Sequence, residues 1–389
     1  MSNKKRLHIL HLPRTYPSRL SSLSGIFFKQ QIDALRNFTD LRISVIAIIQ
    51  KSLLSSLFSK NVNLWFSSKT SNTESGSDYI LHLFTIPLPF SIKRKYIDYR
   101  YYLTVKKYIS AQGKPDLIHL QTYEMGSAAL RIKEKLGIPY IITEHSSNLY
   151  GENTRLSDKL LQKIYSESEH NIAVSPYFAN FLSSRFNTEF EYIPNSIDLQ
   201  TFTTTVKEES DGVRLIHVAH TVPIKQQDLL LQAFKLAITN HKNITLTIVG
   251  DGPELKKLRS LAIDLDIERN VSFLGKLSNK EVRDRMQQSD IFILTSKKET
   301  FGVVLIEAMA TGLPCISTKS GGPEDIIVNK DLGLLCEQNS KAIASAIIEA
   351  CSREYDSIKI HEHAKKTYSA KAVCTKIVAV YNEVISKNL

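Results

Sequence analysis

Two glutamates, Glu299 and Glu307, stand with seven residues between them in the run Thr295-Ser-Lys-Lys-Glu-Thr-Phe-Gly-Val-Val-Leu-Ile-Glu-Ala-Met-Ala-Thr-Gly-Leu-Pro. Alone, such a pair reads as two solvated helix charges. Its context changes the reading, because the run follows an apolar strand, passes a polar turn ending in Phe301-Gly302, and enters a helix near Val303. A helix start presents unpaired backbone N–H groups at the positive end of the dipole, suited to phosphate or to sugar hydroxyls. Gly302 permits close approach, and two carboxylates at different heights accept hydrogen bonds from a polyhydroxylated ligand. Two other loops join them. Lys225 lies just ahead of a helix over 228–239, where an ammonium meets diphosphate oxygens, and Ser320-Gly-Gly-Pro-Glu offers a second anion-facing turn.

The elements that must position these residues are short β-branched runs alternating with helical patterns. In the first half they begin at Leu7, Ile43, Leu117, Pro139, Asn171 and Glu191, and in the second at Arg214, Ile244, Val271, Ile291 and Pro314. This alternation predicts an α/β chain with two doubly wound, mostly parallel sheets, whose strand ends leave crevices for ligands. The polar stretch Thr203 to Gly212 marks the boundary, giving domains 1–202 and 203–371. A last helix over about 372–389 has no strand after it and is expected to pack back on the first domain. Lys69 to Asp78 is the segment expected to be a mobile loop.

Composition sets the outer limits. A chain of 389 residues suits two domains, and 42% hydrophobic with 23% charged residues fits a folded chain. Cys315, Cys336, Cys351 and Cys374 form no C-x-x-C pair and suit a reducing compartment. The basic N-terminus lacks an uninterrupted apolar run, so no export signal is expected, and no stretch approaches the roughly 18 apolar residues of a spanning helix. A net charge of +11 implies an anionic partner. The run from Lys93 to Tyr108 mixes Lys93, Arg94, Lys95, Arg100, Lys106 and Lys107 with aromatic residues at helical spacing, which suits either a solvated basic face or docking on an anionic membrane. No nucleic-acid module is visible. Walker A and G-x-G-x-x-G loops are missing, Asp264-Leu-Asp266 ends a helical stretch as surface charge, and His361-Glu-His363 has the wrong spacing for a metal on one helix face.

The glutamate run closely resembles the signature of family 4 glycosyltransferases, and the resemblance extends through Tyr16-Pro-x7-Gly-Ile-Phe-Phe, Asp116-Leu-Ile-His, Thr143-Glu-His-Ser-Ser, Ile193-Pro-Asn-Ser-Ile-Asp, Val249-Gly-Asp-Gly-Pro and Gly321-Gly-Pro-Glu. It implies the GT-B fold, two Rossmann-like domains facing across a cleft, and a retaining sugar transfer from a nucleoside diphosphate donor without a metal or other cofactor. By the same resemblance Glu299 contacts the donor sugar, Glu307 the ribose and Lys225 the diphosphate. Phe301, Gly302 and Val303 surround the donor with backbone amides, Gly25 approaches the phosphates, and His145 faces the reacting sugar. Ile197 and Asp198 mark the hinge. One departure is Ala219-His220 where the family often has Gly-Arg, so His220 offers a weaker, pH-sensitive contact and Lys225 carries more of the phosphate. The acceptor is expected to be a glycan or lipid-linked molecule of bacterial surface polysaccharide, such as O antigen or capsule, at the cytoplasmic side of the inner membrane. The alternatives are a nucleotide-sugar epimerase of the same fold and a catalytically silent binding subunit.

Overall fold

The computed structural model describes residues 6–17, 25–52, 68–73, 76–85, 89–151, 154, 156–206, 211–240 and 243–387. The extreme N-terminus, residues 18–24 and residues 207–210 of the polar stretch lie outside them. The chain forms two compact units: Met1–Val174, Ala179–Ile193 and Cys374–Leu389 make the first, Ser175–Phe178 and Pro194–Val373 the second. The division thus falls at Pro194, ahead of the residue-203 boundary read from polarity. The reason is a backbone tie at the hinge motif, where the Ile197 amide donates to the Tyr368 carbonyl at 2.9 Å. Asp198 there accepts from the Gln200 amide at 2.9 Å and the Thr201 hydroxyl at 2.6 Å, closing a local turn.

The first unit holds β1 (His8–Leu12), β2 (Arg42–Ser52), β3 (Ser68–Thr73), β4 (Gly76–Thr85), β5 (Leu117–Leu120), β6 (Tyr140–Glu144), β7 (His170–Ala173) and β8 (Glu191–Tyr192), in the order β3-β4-β2-β1-β5-β6-β7-β8. Among the described residues only β3 runs antiparallel, on β4. The Lys69–Asp78 segment therefore supplies most of β3 and the start of β4, a correction to the loop expectation. An edge strand is held through its backbone, so its Ser/Thr/Asn run carries no apolar alternation to read. Ile9, Leu10, Ile43, Val45, Ile118 and Ile141 are buried along the central strands, as in any parallel sheet covered on both faces.

The second unit holds β9 (Val213–Val218), β10 (Ile244–Val249), β11 (Val271–Gly275), β12 (Ile291–Leu294), β13 (Cys315–Thr318) and β14 (Gly333–Cys336), all parallel, in the order β11-β10-β9-β12-β13-β14. Numbered within the unit this is 3-2-1-4-5-6, the Rossmann order, with its switch point between β9 and β12. Leu230, Phe234, Leu246, Ile293 and Ile347 fill its core. The four cysteines are all free thiols. Among the described residues no helix is long and apolar enough to cross a membrane.

Candidate donor site and its counterpart on the first unit

The loops after β9 and β12 leave the sheet side by side at the switch point, and hydrogen bonds stitch them together. The Thr295 hydroxyl donates to the carbonyls of Lys225 (3.1 Å) and Gln226 (3.2 Å), and the Lys297 amide donates to Ile224 O at 2.8 Å. This brings the Lys225 ammonium onto Glu299 Oε1 in an ion pair, to which the Ser296 hydroxyl adds a donor at 2.7 Å. Both side chains keep partial access to solvent, 25% for Lys225 and 14% for Glu299. The positions are 74 residues apart, so the pairing is a product of the fold.

Glu299 is fixed on its other side by the loop after β13. Its amide donates to Ser320 O at 2.9 Å and its carbonyl accepts from Gly322 N at 3.0 Å. A Cβ at Gly322 would stand 2.4 Å from the Phe301 Cα, so only glycine lets these two backbones meet. The Gly-Gly turn does not offer free amides as expected. Glu324 already accepts from Ser320 N at 3.0 Å and Gly321 N at 3.1 Å, so the turn serves the protein's own carboxylate.

Gly302, at φ 105°, turns the chain into the helix Val303–Ala310, whose first N–H groups have no acceptor within the helix. Phe301 is buried and packs edge-on against Tyr368 at 5.8 Å, so its side chain anchors the turn from the core. Glu307 lies one turn into that helix, partly open to solvent, and burial pushes its carboxyl up to about 8. His220 is exposed on the loop leaving β9, its carbonyl accepting from Gln227 Nε2 at 3.2 Å. Asp264 ends the helix Leu255–Asp264 and the side chain of Asp266 is almost fully exposed. His361 donates to Ala310 O at 2.7 Å, and His363 packs against Tyr368, so these two histidines serve the fold.

His217, which none of the sequence motifs singles out, is buried on β9, donates from Nδ1 to Ile293 O at 2.9 Å, and has no hydrogen-bond partner at Nε2 among the described residues. Burial, with the nearby Lys225 charge, lowers it to about 4. Its motif Arg214-Leu-Ile-His parallels Asp116-Leu-Ile-His on β5, a repeat that could have drawn attention to it.

On the first unit, Gly25 at φ 70° begins the helix Ile26–Phe38, and a Cβ there would lie 2.3 Å from the Thr15 carbonyl oxygen. His145 follows β6, half-buried, with its ring edge-on to Phe27 (5.3 Å) and Phe28 (5.5 Å) and Nε2 at 3.2 Å from Gln121 Oε1. The adjacent Glu144 is buried, accepts from the Tyr165 hydroxyl at 3.0 Å, and is pushed up to about 8 by that burial.

Solved glycosyltransferases share this architecture over nearly the whole chain. Sucrose-phosphate synthase from Thermosynechococcus elongatus superposes with a TM-score of 0.74 at 16% identity, covering 98% of this chain and 100% of that one. HepE of Anabaena, solved with UDP and glucose, gives 0.69 at 18% identity over 97% and 100%. The two Rossmann-like units are therefore those of the GT-B glycosyltransferase fold. Two family descriptions match in sequence, "Glycosyltransferase Family 4" over residues 62–201 and "Glycosyl transferases group 1" over residues 203–367. The N-acetyl-alpha-D-glucosaminyl L-malate synthase of Bacillus anthracis is 30% identical over 341 residues, 78% of this chain and 88% of that enzyme. A human phosphatidylinositol N-acetylglucosaminyltransferase subunit is 26% identical over 294 residues, 72% of this chain and 60% of that protein. The chain belongs to the family 4 glycosyltransferases.

Proposed function

We propose that the protein transfers a hexose-type sugar, with retention at the anomeric carbon and without a metal, from a nucleoside diphosphate to a glycan or lipid-linked acceptor of bacterial surface polysaccharide. The observation that carries this reading is the Lys225–Glu299 pair at the switch point of the second sheet, beside the Gly302 helix start. An arriving diphosphate takes over the Lys225 ammonium and thereby frees a Glu299 oxygen for the sugar hydroxyls. The amides of Phe301, Gly302 and Val303 close around the donor, His220 adds a contact near the phosphates, and Glu307 meets the ribose. Gly25 and His145, on the first unit, keep the roles that the family resemblance implies for them, toward the phosphates and the reacting sugar.

In the transfer step the acceptor hydroxyl forms its bond to the anomeric carbon on the face the diphosphate leaves. The bond from that carbon to the phosphate oxygen breaks, and the acceptor proton passes to a phosphate oxygen. Lys225 stabilises the charge that develops there, which an electrostatic site can do without a protein nucleophile.

Both relatives carry N-acetylglucosaminyl in their names, and HepE was solved with UDP, so UDP-N-acetylglucosamine heads the panel of donors to test. Their named acceptors differ, L-malate in one and phosphatidylinositol in the other, which leaves both a soluble and a membrane acceptor to assay. Lipid-linked acceptors are favoured by the helix Phe90–Gln112: Ile92, Tyr96, Tyr99 and Leu103 form an exposed stripe with exposed Lys95, Lys106 and Lys107 around it. Lys93, Arg94 and Arg100 are half-buried, and Arg94 pairs with Asp98 at 3.6 Å, so only three of the six basic residues face solvent fully.

The test is a thermal-shift panel of nucleotide sugars. One donor that raises the melting temperature, with the shift lost in Lys225→Ala, supports the reading, because only ligands of the folded state stabilise it. No shift with any donor far above the expected affinity overturns it in favour of a silent binding subunit.

A further inference from the structure

Where β1, β5 and β6 end, at the switch point of the first sheet, five buried polar side chains replace the apolar residues that flank them. His11, His119, Gln121, Thr143 and Tyr381 are 0–3% exposed, as deeply buried as the neighbouring Ile9, Leu10, Leu12, Ile118 and Leu120. Packing alone would be served by more of the latter. Instead the five form one chain of hydrogen bonds. His145 Nε2 donates to Gln121 Oε1 (3.2 Å), and Gln121 Nε2 donates to His11 Nδ1 (3.2 Å). His11 Nε2 donates to the Tyr381 oxygen (3.3 Å), the Tyr381 hydroxyl donates to His119 Nδ1 (2.6 Å), and His119 Nε2 donates to Thr143 Oγ1 (2.8 Å).

Burial keeps both inner histidines neutral: His11 is lowered to about 3 by desolvation and the Arg36 charge, and His119 far below its ordinary value by desolvation and its histidine neighbours. Each neutral ring carries one proton, so the assignment at any link fixes all the others. Turning the Gln121 amide over would reverse every donor together and leave His145 Nε2 an acceptor. The His145 tautomer is thus tied to a tyrosine 370 residues from His11 in sequence, on the C-terminal helix.

We propose that Gln121, clamped by His11 and through it by Tyr381, is the positioning residue that holds His145 in one orientation and one tautomer for the transfer reaction. The proposal rests on the reading of His145 as a residue that meets the reacting sugar. Phe27 and Phe28 fix the ring plane from one side, and the Gln121 carbonyl oxygen, which can only accept, places a proton on Nε2.

The test uses the full chain with nitrogen-15-labelled histidine, the His145 signal being assigned by its loss in His145→Ala. The wild type shows a fixed Nε2–H tautomer. Gln121→Met removes both hydrogen bonds of the amide; the tautomer signature should be lost and kcat should fall about 10–100-fold with the donor KM within about 3-fold. Gln121→Glu keeps an acceptor for His145, since a carboxylate accepts from both histidines, and should restore the signature and most of kcat. Tyr381→Phe should act in the same direction as Gln121→Met but more weakly, and carries the test if that variant does not fold. An unchanged His145 tautomer in Gln121→Met and Tyr381→Phe overturns the proposal. So does an equal loss of kcat in Gln121→Met and Gln121→Glu that follows their melting temperatures. Full activity in His145→Ala would instead refute the underlying role of His145, while the tautomer signal still reports whether Gln121 holds the ring.

Discussion

At the scale of single residues, the ion pair between Lys225 and Glu299 sets two requirements against each other. It neutralises two partly buried charges, and in the proposed function it opens to a diphosphate. Removing one partner strands the other, so Lys225→Met and Glu299→Gln should each cost about 2 kcal/mol in urea titration. The double variant should recover part of that loss, because the stranded charge is gone. Turnover should fall at least about 100-fold in all three. A double variant with additive destabilisation would mean that the pair contributes nothing to the fold. Glu144 makes a separate case. Its folded pKa, raised to about 8 by burial, exceeds the roughly 4.3 of an unfolded glutamate. The folded chain keeps a proton that the unfolded chain releases, so this stability is complete below pH ~4 and is lost as pH rises toward 8. Glu144→Gln should flatten that decline, seen as a smaller difference in melting temperature between pH 5 and pH 8 than in the wild type.

At the scale of elements, the site depends on three loops that leave one sheet edge and touch through backbone. Gly322→Ala puts a methyl 2.4 Å from the Phe301 Cα and must displace the Glu299–Phe301 segment. Gly302→Ala meets nothing closer than the flexible Leu305 side chain at 3.0 Å, and its strain is that of φ 105°. We expect Gly302→Ala to cost about 1–2 kcal/mol with partial activity, and Gly322→Ala to lose activity almost entirely, both read by melting temperature and donor turnover. The strands that carry these loops were legible in sequence because buried parallel strands are continuous β-branched runs, and β9 through β13 appear as such. β14 escaped because Gly333-Leu-Leu-Cys has no β-branched residue, and β3 because an edge strand needs no apolar face. Of the site, the spacing of Glu299 and Glu307 and the placement of Lys225 before a helix were readable from local pattern. The Lys225–Glu299 contact and the chain from His145 to Tyr381 were not, since each joins groups that only tertiary structure brings together. The capture of the Gly321 amide by Glu324, three residues on, is a local helix-start contact that the run Gly-Gly-Pro-Glu does carry in sequence.

At the scale of the whole molecule, the charge of +11 is spread over a protein whose donor site needs only a few cations, so most of it serves something else. The helix Phe90–Gln112 shows where part of it is placed. Its buried side presents Ile97, Tyr101, Val105 and Tyr108 to the first unit, while Ile92, Tyr96, Tyr99 and Leu103 face outward at intervals of three or four residues. Arg131 lies 5.7 Å over the Tyr99 ring, and Lys95, Lys106 and Lys107 flank the stripe. Apolar rings bordered by lysines suit the interface of an anionic bilayer, where each lysine near the surface contributes about 1 kcal/mol. Co-sedimentation with phosphatidylglycerol vesicles should therefore succeed at low salt and weaken as ionic strength shortens the screening length toward ~3 Å at 1 M. Reversing Lys95, Lys106 and Lys107 to glutamate should lower partitioning about 100-fold or more, while turnover of a soluble acceptor stays unchanged, because none of the three is placed in the donor site. Equal vesicle binding by the triple variant would remove the helix from the docking surface. No binding by the wild type at low salt would leave a small soluble acceptor as the substrate to pursue.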